Sequence, residues 1–417
     1  MRRGLERLLG LLRSPVALAA GAQVISSLAN FVFLLALVAR LAPATFGLYS
    51  IAFAVVLAGT AILQGFFQLQ MVTTLPKLAV ERRHDFASAL FMAQGALALA
   101  LVIPALALAL LPPGGAAGLW QLAAASGLAI LGLSGKEFLI RYLFAAERVS
   151  FWIPAMNLLA AAVLTGLAFS GLPAQGAPQA MLAYALAQIA GLGLGLPVAR
   201  LAWRPRGWRS ALRSTAANGA WGAFSAVTYS LRASAHTFIV GATLPLAQVG
   251  QMNAARTLLT PATLLIPTLS AVTLPRLSRT MAEAGAAGLG RLALRMGLVL
   301  AGLVLAYAAA LALAWPLLVR HLLGQEFARL GAYVALWSVF ALLTGLRNVA
   351  EWVLQAMQAF KPLSFYNLIA AGVTLAAVLA LTLAGGVPGA IAGLLLGELF
   401  LICLILRHFH QHTTRPR

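Results

Sequence analysis

Acidic residues are scarce in this chain, and cysteine is nearly absent. Of 417 residues, 9 are Asp or Glu against 29 Lys and Arg, and charged residues together make up 9%. A soluble domain carries about 25% charged residues, so this composition does not provide a water-exposed globular surface. The one cysteine, Cys403, excludes an internal disulfide and a cysteine-rich metal site. No glycine-rich loop closing in Lys-Ser or Lys-Thr is present, so no phosphate-cradling ATPase motif is built in. No pairing of His with acids suggests a metal, and no cofactor is expected. The connections opposite the basic ones are short, which leaves little room for an external catalytic domain.

What the chain has in abundance is apolar side chain, at 62% of residues. About 20 apolar residues of helix span a bilayer core. Twelve apolar runs follow one another, at roughly 16–39, 46–74, 86–111, 119–146, 151–171, 178–200, 215–241, 248–275, 291–318, 330–357, 363–385 and 388–406. The fold class is therefore an all-α integral membrane protein of about twelve transmembrane helices. The basic excess would suit a nucleic acid, but these residues lie in short connections between apolar runs, as membrane topology requires. No nucleic-acid partner is expected. Arg2, Arg3, Arg7 and Arg13 precede an apolar run longer than the roughly 7–15 residues of a signal-peptide core, so the run is read as a retained first helix.

The connections take alternate sides. One set carries twenty-one of the basic residues; the other carries three, Arg40, Arg320 and Arg329. That bias places both termini and the basic connections in the cytoplasm.

The chain reads as one helical unit written twice. Ala39-Arg40-Leu41-Ala42-Pro43-Ala44-Thr45-Phe46-Gly47 has a weaker copy at Val240–Gly250, with Gly47 answering to Gly250. Thr74-Leu75-Pro76-Lys77-Leu78 answers to Thr273-Leu274-Pro275-Arg276-Leu277, and Leu143–Asn157 to Leu354–Asn367. The polar break Arg200–Arg213 divides six runs from six. The expected domains are residues 1–203, a cytoplasmic linker 204–213, and residues 214–417. An even number of helices per half makes the repeats parallel, and transporters place their site between such repeats.

Polar residues inside the runs mark a face. Gln23, Ser26, Ser27 and Asn30 fall on one side of the first helix, because positions three and four apart are neighbours. Gln64 in the second run, Ser225 and Tyr229 in the seventh, and Thr260 in the eighth extend the polar set. Taken singly, such residues read as interhelical hydrogen bonders, and cations near helix ends reach for the surface. The intramembrane cations Lys136, Arg141, Arg232, Arg256 and Arg347 are harder to explain, since each costs about 2.5–3.5 kcal/mol at a helix centre on insertion scales. Arg347 has Glu351 at i+4, and Arg141 has Glu137 at i−4. Lys136, Arg232 and Arg256 have no such partner in their own runs. A repeat axis would gather these groups, with Arg40, around a central cationic cavity. His236, Glu351 and Glu398 are the candidates for ion coupling. Pro261 and Pro267 lack an amide donor and should kink the eighth run.

These motifs carry a resemblance. The segment through Gly47, Thr74-Leu75-Pro76-Lys77 and the echo ending Val249-Gly250 resemble the O-antigen-type lipid-linked oligosaccharide flippases of the multidrug/oligosaccharidyl-lipid/polysaccharide exporter superfamily. The resemblance implies two six-helix bundles around a central cavity, in a bacterial inner membrane. It implies a polyprenyl-diphosphate-linked oligosaccharide as substrate, moved outward by alternating access among membrane lipids. A glycan polymerase and glycosyltransferases are the implied partners. Related lipid II flippases usually have fourteen helices, whereas twelve runs are found here. Drug-exporting relatives usually rely on an acid in an early helix, and the first two runs contain none. A cation-coupled drug exporter, a polytopic glycan polymerase or ligase, and a scaffold of a glycan assembly complex are the alternatives. Under the flippase reading, Lys136 and Arg347 occupy equivalent positions and flank the diphosphate.

The topology is open to direct test. Reporter fusions at Arg83, Arg206 and the C-terminus should read cytoplasmic, and those at Gly114 and Gly386 external. An external signal at Arg206 would overturn the six-plus-six arrangement.

Overall fold

A computed structural model describes residues 15–109, 117–146, 151–202, 205–320 and 330–414. Among these residues the chain is helical and contains no strand. Hydrocarbon leaves no other choice for an open chain, because each backbone N–H and C=O must find its partner within the segment. Among the described residues, eight helices are long and apolar enough to cross a membrane.

The first six helices are α1 (Pro15–Arg40), α2 (Pro43–Leu63), α3 (Val80–Ala109), α4 (Ala117–Ala145), α5 (Trp152–Phe169) and α6 (Ala177–Ala199). Helix α2 continues through a π turn at Gln64–Gln68 and on through Leu69–Thr74. Then come α7 (Trp208–Thr243), α8 (Leu246–Leu258), α9 (Thr260–Leu318), α10 (Gly331–Ala356) and α11 (Phe360–Thr414).

Two of these helices contain a reversal. In α9, Gly285 has φ 63° and ψ −164°; in α11, Gly386 has φ 62° and ψ −141°. Only glycine populates that region readily. After Gly386 the chain packs back on itself, with Gly389 against Leu381, Gly393 against Val378 and Gly397 against Thr374. Across Gly285, the Thr273 hydroxyl donates to the Met296 sulfur at 3.9 Å. Divided at these two glycines, the helices cover all twelve apolar runs. The expected kink at Pro261 is a full break: α8 stops at Leu258, and Pro261 sits in the first turn of α9. There its missing N–H costs nothing, because the first-turn amides have no partner in the helix. Pro267 remains in helical backbone.

By contacts the chain divides into two compact units, Met1–Leu41 with Leu48–Ser230, and Ala42–Gly47 with Leu231–Arg417. In the first unit α1 packs on α5, α5 on α6, α6 on α4 and α4 on α3. The polar stretch Arg200–Arg213 lies within this unit. In the second, α9 packs on α10 and α10 on α11 around Leu277, Leu289, Leu300, Val349, Trp352, Leu354 and Leu401. The same unit brings the repeat-equivalent Gly47 and Gly250 together. A Cβ on Gly47 would overlap the Leu246 carbonyl, and one on Gly250 the Pro43 carbonyl. Helices in lipid associate through such close packing, since burial from lipid into protein brings no hydrophobic gain.

Alanine at Gly285 or Gly386 should destabilise the protein by about 1–3 kcal/mol, the cost of holding a side chain in that backbone region. Gly302→Ala, where a Cβ meets open space, should leave the melting temperature of the purified protein unchanged.

Candidate functional site

The intramembrane cations anticipated from the sequence fall into three different settings. Lys136 on α4 is only 2% exposed. Its ammonium donates to Asn157 Oδ1 on α5 at 3.0 Å, an amide that satisfies a hydrogen bond but leaves the charge in place. Glu137 is the adjacent residue, and adjacent positions on a helix do not face each other.

Arg347 on α10 is 8% exposed and bound on two sides. Its Nε donates to Glu398 Oε2 on α11 at 2.5 Å, and its Nη1 to Glu351 Oε1 at 2.6 Å. The i, i+4 partner expected within the helix is there, and a second acid arrives from another helix. Arg232 on α7 joins the same cluster, donating to Asn367 Oδ1 at 2.7 Å and lying 3.9 Å from Glu398 Oε1. Two guanidinium groups and two carboxylates make a neutral set. Glu351 and Glu398, candidates for ion coupling, are thus engaged with arginine.

Arg256 on α8 has the third setting. Its side chain is exposed, and its guanidinium lies 5.5 Å from the Trp337 ring centroid and 3.3 Å from His236 Nε2. Trp337 and His236 are each 1% exposed. The indole N–H donates to the Met252 carbonyl at 3.1 Å, and the imidazole meets the indole edge-on at 5.3 Å. Because the guanidinium can only donate, His236 Nε2 accepts and the ring proton sits on Nδ1. An imidazole and an indole are among the groups that hold the guanidinium in place.

Arg40 and Arg141 stand apart from these groups. Arg40 Nη1 donates to the Ala168 carbonyl at 2.7 Å and the Ser170 carbonyl at 3.3 Å, so it caps the end of α5, where orphan carbonyls favour a cation. Arg141 is exposed, and among the described residues no ion pair joins it to Glu137. Of the polar set, Ser26, Asn30, Gln64 and Thr260 are partly buried, and Ser225 and Tyr229 are exposed. Gln64 opens the π turn of α2, a feature common at functional positions. The Gln23 side chain lies outside the described ones.

The two units repeat a polar pattern that the sequence reading detected only in part. Lys136 and Arg347 are equivalent, and so are Asn157 and Asn367. The spacing that relates these asparagines also relates Gln188 on α6 to Glu398 on α11. Each unit thus supplies a cation, an asparagine and a third polar residue. Where the second unit has a carboxylate, the first has an amide whose Oε1 is buried without a hydrogen-bond partner. A Gln–Glu pair at matching offset was the available signal. Gln68, a polar residue of the second run, donates to Gln94 at 3.3 Å, whereas Trp337 gave no signal, because a tryptophan in an apolar run reads as core or interface.

A family described as polysaccharide biosynthesis protein matches residues 37–330. The chain belongs to that family. No curated protein sequence matches it. Among solved structures, the chain is similar to a lipid II flippase MurJ in an inward closed conformation, at 12% identity and a TM-score of 0.73, covering 96% of this chain and 88% of that one. It is also similar to an inward-facing multidrug-resistance MATE transporter, at 14% identity and 0.64, covering 93% and 94%. A transporter of the same superfamily from Pyrococcus furiosus follows, at 15% and 0.57, covering 95% and 93%. At these identities the likeness is one of fold. This member of the polysaccharide biosynthesis family is a multi-pass membrane protein with the two-repeat helical fold of that superfamily.

Breaking the second unit's cluster should be costly. Arg347→Ala leaves the buried Glu398 and the partly buried Glu351 short of a partner and should cost about 3–5 kcal/mol. Arg40→Ala removes an exposed cap and should cost about 1 kcal/mol. Thermal unfolding of the purified variants reads the difference.

Proposed function

We propose that this protein is a flippase for a polyprenyl-diphosphate-linked oligosaccharide, acting in a bacterial inner membrane with both termini cytoplasmic. Membership of a polysaccharide biosynthesis family and a fold shared with flippases and exporters support the class. The observation that carries the substrate is the seating of Arg256 against Trp337 and His236, an indole and an imidazole that orient an exposed guanidinium. A diphosphate cannot enter hydrocarbon bare, and a fixed cation substitutes for part of its hydration. Arginine suits the role because its planar fork grips two phosphate oxygens at once.

Lys136 is the second cation of the proposed set, its ammonium bonded to the Asn157 amide. Arg232 and Arg347 belong to the same proposed set, but they reach a substrate only by loosening their hold on Glu398. Glu398, Glu351 and His236 remain the proposed coupling groups. The expected cycle is alternating access between the six-helix halves divided at residues 204–213, with Ser26, Asn30, Gln64, Ser225, Tyr229 and Thr260 along the hydrated path. No bond is made or broken in this cycle; a transfer barrier is lowered. Glycosyltransferases would supply the substrate, and a glycan polymerase would consume it.

The test is surface glycan in a strain lacking the native gene, with protein abundance measured alongside. Arg256→Ala and Lys136→Ala should each lower export about tenfold or more, the equivalent of one charge-assisted hydrogen bond. Lys136→Arg and Trp337→Phe should retain partial export. Full export by the Lys136→Ala/Arg256→Ala double variant would overturn the reading.

A further inference from the structure

A cavity of about 460 Å³ opens in the second unit, where the first leg of α9 meets the end of α10. Leu274, Met281, Ala282 and Ala356 form its apolar part, and Ser278, Gln355 and Gln358 its polar part. Leu274, Met281 and Ala356 also pack against the core of the unit, so the floor is fixed. The volume lies within the range of small-molecule sites, about 300–1,000 Å³.

Gln358 is an unexpected residue for its position. It has φ 60°, a left-handed conformation. It follows the end of α10, where the Ala359 amide reaches back to the Leu354 carbonyl at 2.9 Å and the Gln358 amide to the Gln355 carbonyl at 3.0 Å. Helix ends of this kind usually place glycine there, because any Cβ is strained. The chain accepts that strain and so gains an exposed amide at the cavity mouth.

The lining selects a ligand class. It contains no charged side chain, so it is not built for a phosphate. Two carboxamides offer paired donors and acceptors, and Ser278, whose hydroxyl donates to the Leu274 carbonyl at 3.0 Å, presents its oxygen as an acceptor. A pyranose has the complementary form, with a rim of hydroxyls around an apolar C–H face. The exposed Arg279 follows Ser278 directly, and Lys361 comes three residues after Gln358. A sugar in the cavity that also bears an anionic group would have cations nearby in the chain. We propose that this cavity is a saccharide subsite, which takes an uncharged sugar residue of the lipid-linked substrate on the side of the membrane where the basic connections lie. The assignment of a lipid-linked sugar rests on the flippase reading above.

The experiment uses the full-length protein in phosphatidylcholine nanodiscs, carrying Ala282→Cys in a Cys403→Ser background. The rate of maleimide labelling at position 282 is read with and without millimolar N-acetylglucosamine, galactose, mannose or rhamnose disaccharides. At least one disaccharide should slow labelling several-fold. Adding Gln355→Ala and Gln358→Gly should abolish that protection. This variant should melt no lower than its parent, because glycine relieves the left-handed strain; loss of protection is then not loss of fold. Labelling unaffected by all four disaccharides would overturn the proposal, as would protection that survives in the variant. Labelling already blocked in phosphatidylglycerol nanodiscs without sugar would make the cavity a lipid-headgroup site, and would equally overturn it. The export assay on Lys136 and Arg256 is independent of these arms. Lost export there with no saccharide protection removes this subsite and leaves the flippase reading standing. Protection with full export in the double variant keeps a sugar site and removes the flippase.

Discussion

Hydrocarbon offers no hydrogen bonds, and the structure answers that constraint at each level. The backbone closes on itself as helix over almost all of the described residues, broken only at short connections. Reversals within α9 and α11 are made by a single glycine each, which keeps unpaired backbone groups to a minimum. Ionised side chains find partners inside the protein. Arg347 and Arg232 share Glu398, and Asn367 takes a further guanidinium hydrogen bond. Removing any one member leaves the others charged in a medium that cannot solvate them.

Against that background, two cations with uncharged hydrogen-bond or ring partners stand out. Lys136 has an amide for a partner, and Arg256 an imidazole and an indole. The same contrast separates Arg347 from Arg256, although both are arginines inside apolar runs. Arg347 lies between two carboxylates, and Arg256 lies against an indole and an imidazole.

The repeat adds a second contrast. Lys136, Asn157 and Gln188 correspond to Arg347, Asn367 and Glu398. Gln188 stands where the second unit has Glu398, the acid that Arg347 and Arg232 share. The two units keep matching polar positions but differ in charge at this one.

The number and placement of the apolar runs, the twofold repeat and the choice of Lys136, Arg232, Arg256 and Arg347 as the informative residues were all legible in the sequence. Each follows from one local cost, that of placing polar or charged groups in hydrocarbon, which is charged residue by residue along the chain. Beyond Glu351, one turn from Arg347, only the tertiary structure decided which cation meets which partner. Glu398 lies 51 residues from Arg347, and Asn367 lies 135 from Arg232. No helical periodicity encodes such distances. The backbone reversal at Gly285, the strained Gln358 and the cavity it faces were hidden for the same reason: they depend on how helices pack, and packing is set by shape between segments remote in the chain.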